Sequence, residues 1–215
     1  MKKTCCLSVL ILFAIVCHSQ VLFGIFAGPQ VTTAKYSIAD TKQPTENKYG
    51  FHLGACLKVP FDNRLYFCPA IFYSLKGYKV TFNQYAFPPD TLATNNNTSI
   101  HTLELAALLQ FDFSNKPNHL FVKAGPSLDF QLAGTEKYEL KAGGTVDHDM
   151  PYGFPYYGHY SANLILQLGY ETKNGFVIFG QFADGLTNIN NADFGPEIRH
   201  RVFSISIGKY FHHKS

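Results

Sequence analysis

Two short clusters in the second half of the chain combine residue types that could carry chemistry. The run Asp147-His148-Asp149 offers two carboxylates and an imidazole, which are donor groups of divalent-metal sites. Further along, His159 and Ser161 flank one tyrosine, so an imidazole could activate a hydroxyl, with Glu171 as a candidate third member. The first cluster lacks a second set of ligands and is typical of solvated turn residues. We therefore expect no metal site and no cofactor.

Three charged residues, Glu104, Lys123 and Asp129, stand in segments that are otherwise largely apolar. A charge removed from water is stable only when it is paired, so we expect these three to form one buried network. Such a network is either a path for protons or ions or a plug of paired charges. Where the space between the strands is narrow, a plug of paired charges is the usual role.

Aromatic residues are concentrated between the prolines and glycines of 150–157. The members of this group are Tyr152, Phe154, Tyr156 and Tyr157. Exposed aromatic side chains on a loop are typical of a binding surface, and we predict one here. The alternative is an extension of the aromatic belt that membrane barrels have at the lipid–water interface.

The first residues have the features of a secretory signal peptide. Lys2 and Lys3 precede the apolar run Leu7–Val16, and the small residues Cys17 and Ser19 occupy the positions that signal peptidase recognises. The run is shorter than the roughly 20 residues of a membrane-spanning helix. We therefore expect residues 1–19 to be cleaved and residues 20–215 to form the mature domain.

Cleavage leaves two cysteines, Cys56 and Cys68, in an oxidising compartment. They lie almost symmetrically about the tight turn at Asp62-Asn63, so they could face each other across a hairpin and form a disulfide. Two separate buried thiols are the alternative. Neither arrangement has the spacing of a metal site.

The elements that must position these residues are β-strands. After the signal peptide, no stretch is long and apolar enough for a membrane helix, and none has a sustained 3.6-residue period. Alternation of apolar and polar residues recurs eight times instead, most clearly over Tyr160–Tyr170. The predicted strands are approximately 22–33, 49–61, 65–80, 102–112, 120–132, 160–170, 175–187 and 203–211.

The connections between these strands are alternately short and long. The short ones lie at 62–63, 114–118 and 173–175, and the long ones at about 37–48, 83–98, 134–158 and 188–197. Outer-membrane barrels have short periplasmic turns and long extracellular loops, and a tilted strand crosses the bilayer in about 9–11 residues. The sequence therefore predicts an all-β fold, an eight-stranded antiparallel up-and-down transmembrane β-barrel.

Alternation by itself leaves open which face is inside. A soluble barrel of the lipocalin kind has its apolar residues inside. Aromatic residues at both ends of the apolar sets, and small residues mixed with charges on the other face, favour the membrane arrangement. Lys209, on the apolar face of the last strand, is then expected at the periplasmic rim with Phe211, where a lipid-facing lysine costs only about 0–1 kcal/mol.

Four segments match a known family. They are Phe23–Gly28, Leu75-Lys76-Gly77, Ala124-Gly125-Pro126 and Ile207–Phe211. On these segments the chain resembles the PorT-like outer-membrane β-barrel family of Bacteroidetes. The resemblance implies an outer-membrane location and, for a few relatives, a role in type IX secretion or gliding. The aromatic ending is similar to the strand that the barrel-assembly machinery recognises.

The pair His159 and Ser161 is similar to the His-x-Ser of outer-membrane lipid A deacylases, whose catalytic side chains face lipid. Here alternation predicts that both residues face inward, with Glu171 at the opposite rim. This orientation does not suit a lipid substrate. We therefore predict that the protein is not an enzyme.

Three functions remain in order of preference. The first is a non-enzymatic outer-membrane barrel with a structural, adhesive or secretion-accessory role carried by its loops. The second is a soluble periplasmic barrel that binds an apolar ligand, and the third is a lipid-modifying enzyme. The expected partners are outer-membrane lipids including lipopolysaccharide, and the assembly machinery. Nucleic acid is not expected, because the chain has no run of Lys or Arg.

Overall fold

The computed structural model describes residues 21–211, so the predicted signal peptide lies outside the described residues. These residues form eight long strands and three short ones. The strands are β1 (Leu22–Ile38), β2 (Thr41–Lys42), β3 (Thr45–Glu46), β4 (Lys48–Asp62), β5 (Leu65–Thr81), β6 (Asn95–Asp112), β7 (His119–Glu139), β8 (Thr145–Asp149), β9 (Tyr160–Glu171), β10 (Phe176–Gly185) and β11 (Glu197–Phe211). Within residues 21–211 no helix is long and apolar enough to span a membrane.

The long strands close into a ring. Each pairs antiparallel with its neighbours in the order β1, β4, β5, β6, β7, β9, β10, β11, and β11 pairs with β1 from Phe211 opposite Phe23 to Glu197 opposite Ser37. Closure gives every long strand two partners, which is the condition for strands to cross hydrocarbon. The predicted eight-stranded up-and-down barrel is confirmed.

The apolar side chains face outward. In β11, Ile205 and Ile207 are 64% and 69% exposed, whereas Ser204 and Ser206, which alternate with them, are buried. Such a surface suits lipid and would be costly in water. The alternative of a soluble barrel with an apolar interior is therefore wrong.

Aromatic pairs stand at both ends of the lipid-facing band. At the end with the short turns, Phe23 stacks on Phe211, and Lys209 places its ammonium over the ring of Phe176, 4.5 Å from the centroid. Lys209 is thus at the rim predicted for it, because the end with short turns faces the periplasm. At the other end, Phe130 and Tyr160 meet edge to face.

Several strands continue beyond the predicted boundaries. The strand β6 begins at Asn95 and β7 continues to Glu139, so the end of the predicted loop 83–98 and the start of the predicted loop 134–158 are strand. In this extension the outward residues are polar, such as Asn97 opposite Lys137. The extension therefore stands above the lipid-facing band, in water.

A β-bulge in the pairing of β6 with β7 reverses the alternation in β7. His101 pairs with Ala133 but Thr102 pairs with Gln131. One extra residue on one strand exchanges the two faces from that point onward. Before the bulge the odd-numbered side chains of β7 face inward, so Gln131 is buried. Beyond the bulge the even-numbered side chains face inward, so Glu136 is buried.

Side chains fill the interior in two apolar clusters. The periplasmic cluster includes Phe26, Phe72, Phe121, Phe179 and Tyr210. The extracellular cluster includes Tyr36, Tyr78, Ile100, Tyr157 and Ile198. Buried polar groups lie between and around them, and a ring of eight strands leaves room for little else.

Candidate functional site

The centre of the lumen holds a buried network of one lysine and two carboxylates. Lys76 Nζ lies 2.8 Å from Glu104 Oε1 and 2.7 Å from Asp129 Oδ2, and all three side chains are almost completely buried. Glu104 and Asp129 are opposite each other on β6 and β7. Two carboxylates so placed repel each other unless a cation lies between them, and Lys76 on β5 supplies it.

The predicted network is thus correct in its two acids and wrong in its base. Lys123 faces inward but contacts neither Glu104 nor Asp129. Its ammonium donates to the hydroxyl of Tyr210 at 2.9 Å and lies 5.0 Å from the centre of the Phe121 ring. Lys123 and Asp129 are six positions apart on one strand, roughly 20 Å at about 3.3 Å per residue, so one side chain cannot reach the other.

Polar neighbours complete the environment of Asp129. Asn163 Nδ2 donates to Asp129 Oδ1 at 2.8 Å, and Ser161 Oγ donates to Asp129 Oδ2 at 3.2 Å. Ser161 is therefore part of the plug. The expectation that His159 also faces inward is wrong, because β9 begins only at Tyr160 and alternation does not extend to His159.

The exposed ring of His159 stacks on Tyr152 with centroids 5.1 Å apart. Glu171 lies at the periplasmic end of β9, as predicted. The histidine, the serine and the glutamate thus occupy three separate places, and they form no catalytic arrangement.

A second buried ionic cluster lies at the periplasmic mouth. Lys58 Nζ lies 2.9 Å from Asp112 Oδ2 and 2.8 Å from Glu171 Oε2. His119 approaches the same two oxygens, and Gln110 donates to the other oxygen of Asp112. Lys58 on β4 and Asp112 on β6 are both buried. His119 was not among the predicted site residues, because it is the first residue of its strand and stands beside a turn.

A third polar group lies near the extracellular end. Glu136 Oε1 accepts hydrogen bonds from Asn96 Nδ2 at 2.6 Å and from the hydroxyl of Tyr157. Burial, together with Tyr78 and Glu136 nearby, raises the pKa of Tyr157 well above its usual value, so the hydroxyl keeps its proton and donates. This bond ties the loop 150–159 to the barrel wall.

The four aromatic residues predicted as one loop surface occupy different environments. Phe154 is exposed, Tyr152 and Tyr156 are half-buried, and Tyr157 is 1% exposed. Tyr157 is therefore wrong as a surface residue, because its hydroxyl is directed at Glu136 inside the barrel. Tyr156 packs against the ring of Phe87 at 5.5 Å, and so connects this loop to the loop 82–94.

Other exposed aromatic residues stand on the extracellular loops 82–94 and 186–196. Phe194 is fully exposed, Tyr85 and Phe154 are 68% and 69% exposed, and Phe87 is 37% exposed. We call Tyr85, Phe87, Phe154 and Phe194 the loop aromatic surface. Three of them were missed because they do not stand in an aromatic-rich run like that at 150–157. The loops were predicted to lie at one end of the barrel, but only the tertiary structure shows that they contact one another.

The run Asp147-His148-Asp149 does not form a metal cluster. It lies in β8, so alternation places His148 on the face opposite the two aspartates. His148 Nδ1 bonds the carbonyl of Asp149, and Asp147 lies 3.7 Å from Lys137 Nζ. The expectation that these residues lie in a turn is wrong, because the segment forms the strand β8.

Both cysteines are free thiols in this structure. Pairing of β4 with β5 places Cys56 opposite Ala70, so Cys68 is its diagonal neighbour rather than its direct partner. Diagonal positions are about 7–8 Å apart, farther than a disulfide usually spans. The turn lies at Asn63-Arg64, one residue beyond the predicted position, because Asp62 already pairs with Leu65. The bulge between Pro60 and Asp62 offsets only part of this shift.

Comparison with known proteins places these features in a family. The sequence model of the outer membrane protein β-barrel domain matches residues 17–191. No curated protein matches the sequence significantly.

Solved structures with a similar fold include small outer-membrane barrels. Ail of Yersinia pestis, solved with the heparin analogue sucrose octasulfate, is 14% identical, with 89% of this chain and 99% of that chain covered at a TM-score of 0.46. OprG of Pseudomonas aeruginosa is 12% identical, with 91% and 98% covered at 0.46. Neisserial surface protein A is 13% identical, with 87% and 97% covered at 0.41. From the family match, which spans most of the chain, the protein belongs to the outer membrane protein β-barrel domain family and resides in the outer membrane.

Proposed function

We propose that this protein is a closed, non-enzymatic outer-membrane barrel whose extracellular loops bind partners in adhesion or in support of secretion. The observation that carries the proposal is the loop aromatic surface. Four aromatic rings stand on the extracellular loops, and three of them are about two-thirds exposed or more. Exposed aromatic side chains on connected loops are typical of a binding surface.

The loops that carry these rings are braced against one another. The amide of Asn191 donates to the carbonyl of Tyr156 at 2.7 Å, and the hydroxyl of Tyr36 donates to the carbonyl of Pro88 at 3.4 Å. Together with the contact of Phe87 and Tyr156, these bonds join the loops 82–94, 150–159 and 186–196. A braced surface loses little entropy on binding, which favours a recognition role.

The interior supports the same proposal. Paired charges and aromatic rings fill the lumen, and a small cavity of about 20 Å³ beside Cys56, Cys68 and Tyr210 has room for about one water molecule. An interior so filled in residues 21–211 supports a closed barrel rather than a channel. The separation of His159 from Ser161 likewise argues against an enzyme.

The expected lipid partner is lipopolysaccharide. Lys35, Arg199 and Arg201 face outward on β1 and β11, just above the lipid-facing Phe203. Asp184 pairs with two of these cations, at 2.7 Å from Lys35 Nζ and 3.2 Å from Arg201 Nε, and Glu197 pairs with Arg199. Three cations against two carboxylates leave one excess positive charge at this height, which suits the phosphate groups of the outer leaflet. The same proposal includes two further points. The barrel-assembly machinery inserts the protein into the membrane, and the protein is related to the PorT-like barrels of Bacteroidetes.

The proposal is tested in cells that produce the protein as their only copy. We expect the triple variant Tyr85→Ser, Phe154→Ser, Phe194→Ser to reduce attachment of the cells to a surface, or the amount of secreted protein, several-fold. A matched variant with Asn83→Ser, Gln84→Ser and Asp193→Ser changes exposed polar residues in two of these three loops and should behave as wild type.

The comparison requires that both variants fold and reach the cell surface. Heat-dependent gel mobility tests folding, and surface labelling tests arrival at the surface. If the triple variant matches wild type in attachment and in secretion, the loop aromatic surface is not the functional site. Purified protein in planar bilayers is expected to show no steady conductance, and a stable open channel would contradict the closed-barrel proposal.

A further inference from the structure

A histidine at the periplasmic mouth turns one ring nitrogen toward two carboxylates. The side chain of His119 is 9% exposed. Its Nδ1 lies 3.0 Å from the carbonyl oxygen of Lys116, and since a carbonyl can only accept, Nδ1 carries the hydrogen. Nε2 is therefore the nitrogen that faces Asp112 and Glu171.

The spacing of these groups fits a metal ion. His119 Nε2 lies 3.0 Å from Asp112 Oδ2 and 3.6 Å from Glu171 Oε2, yet makes no aligned hydrogen bond to either. In a neutral ring this nitrogen carries a lone pair, so all three groups offer lone pairs toward one another. The ligands of a tetrahedral metal with bonds of about 2.0–2.2 Å are about 3.4 Å apart.

We propose that Asp112, His119 and Glu171 bind a divalent first-row transition metal of the class of Zn²⁺. One imidazole and two carboxylates are ligands that Zn²⁺ accepts, and a fourth position is left for water. The site lies at the end of the barrel opposite the loop aromatic surface, so it is independent of the function proposed above.

The three residues come from consecutive strands. Asp112 ends β6, His119 begins β7, and Glu171 ends β9 directly opposite His119. Their ligand atoms all lie within 4.8 Å of one another. A bound metal would therefore tie together the periplasmic ends of three adjacent strands.

Neighbouring groups hold two of the ligands in place. Gln110 Nε2 donates to Asp112 Oδ1, which leaves Oδ2 for the metal. The carbonyl of Lys116 fixes the His119 ring through Nδ1. Metal-binding histidines and carboxylates usually have outer partners of this kind, which fix the tautomer and the orientation of the ligand.

Lys58 competes with a metal ion for the carboxylates of this site. Its ammonium contacts the same two carboxylate oxygens, so the metal and Lys58 cannot both hold them fully. One lysine charge against two carboxylate charges still leaves a net charge of −1 when His119 is neutral, which attracts a further cation. The ring of Tyr66, 4.3 Å from Lys58 Nζ, offers the displaced ammonium a second position.

The test is titration of Zn²⁺ into the full-length mature barrel, folded in detergent and free of any histidine tag, by calorimetry and equilibrium dialysis. We expect one high-affinity site per barrel. His119→Gln should weaken that site at least tenfold, while the control His101→Gln, which removes an outer-face histidine that contacts Tyr73, should leave it unchanged. Heat-dependent gel mobility verifies that each variant is folded.

A second variant keeps the test decisive if His119→Gln folds poorly. Lys58→Met removes the competing cation and keeps all three ligands, so we expect it to bind Zn²⁺ several-fold more tightly than wild type. The proposal is overturned if wild type shows no such site, if His119→Gln binds as tightly as wild type, or if Lys58→Met binds no more tightly.

Discussion

Lys76 and Asp129 meet in the centre of the lumen, with Nζ 2.7 Å from Oδ2, although they lie on β5 and β7, which are not neighbours in the ring. The lysine side chain extends over the lumen face of the intervening strand β6, where its Nζ also lies 2.8 Å from Glu104 Oε1. The contact therefore links three strands through side chains alone. It makes the central plug a property of the closed barrel rather than of any one hairpin.

Removing the lysine should strongly destabilise the barrel. In Lys76→Met, Glu104 and Asp129 are left as unpaired buried carboxylates, and breaking a buried pair in this way costs about 3–5 kcal/mol. The measurement is the free energy of unfolding in lipid vesicles by urea titration. Lys79→Met is the matched control, since Lys79 is half-exposed on the same strand and its pair with Glu46 is worth at most about 1 kcal/mol. Equal effects for the two variants would contradict a stabilising network.

Replacing the other lumen lysine should cost much less. Lys123 contacts a hydroxyl and aromatic rings, and within residues 21–211 no carboxylate forms an ion pair with it. Lys123→Met removes a buried charge without leaving a carboxylate unpaired. We expect its free energy of unfolding to stay within about 1–3 kcal/mol of wild type, the range of one buried hydrogen bond. A loss as large as that of Lys76→Met would restore Lys123 to the ionic network.

Loss of one hydroxyl should loosen the extracellular loops. Tyr157→Phe removes the donor to Glu136 and leaves a buried carboxylate with one partner fewer, at a cost of about 1–3 kcal/mol. We expect faster amide hydrogen exchange in 150–159, with little change in the membrane-spanning strands. Tyr156→Phe is the control, because it keeps the ring contact with Phe87. Unchanged exchange in Tyr157→Phe would mean that other contacts hold the loop.

A single added methyl group should disturb strand packing at Gly125. A Cβ at this position would lie 2.1 Å from the backbone oxygen of Ala107 on the neighbouring strand, so the backbone must move. Gly125→Ala is expected to cost about 1–3 kcal/mol and to lower the yield of folded barrel. At Gly180 the nearest atom to an added Cβ is 3.9 Å away, so Gly180→Ala should fold as wild type. Equal folding yields, read from heat-dependent gel mobility, would count against the close approach.

The thiols of Cys56 and Cys68 should both remain free in the mature protein. Alkylation of denatured protein, with no reductant added, is expected to give two adducts by mass spectrometry. In the folded barrel labelling should be slow, because Cys68 is buried in the lumen. A mass without adducts that gains two only after reduction would establish the disulfide instead.

Local sequence patterns were sufficient to predict the strands and their faces. Apolar and polar residues alternate in each strand whatever its partner, and the lengths of the connections depend only on the chain. Eight strands, their short–long rhythm and the outward apolar face of residues such as Ile205 and Ile207 were therefore predictable. The role of Glu136 was not, because the bulge at His101 and Thr102 exchanges the faces of β7 beyond Gln131.

The partners inside the barrel were decided by tertiary structure alone. The alternation predicts that Lys76, Lys123, Glu104 and Asp129 all face inward, but it does not predict their heights in the lumen. Those heights depend on the tilt and stagger of the strands in the closed ring. The pairing and stagger of the strands place Lys76 beside both acids and bring His119 to Asp112 and Glu171. The tertiary structure also brings the loops 82–94 and 150–159 into contact through Phe87 and Tyr156. The sequence alone thus determined which residues face the lumen and which face lipid, whereas the three-dimensional stagger of the strands determined which of them meet.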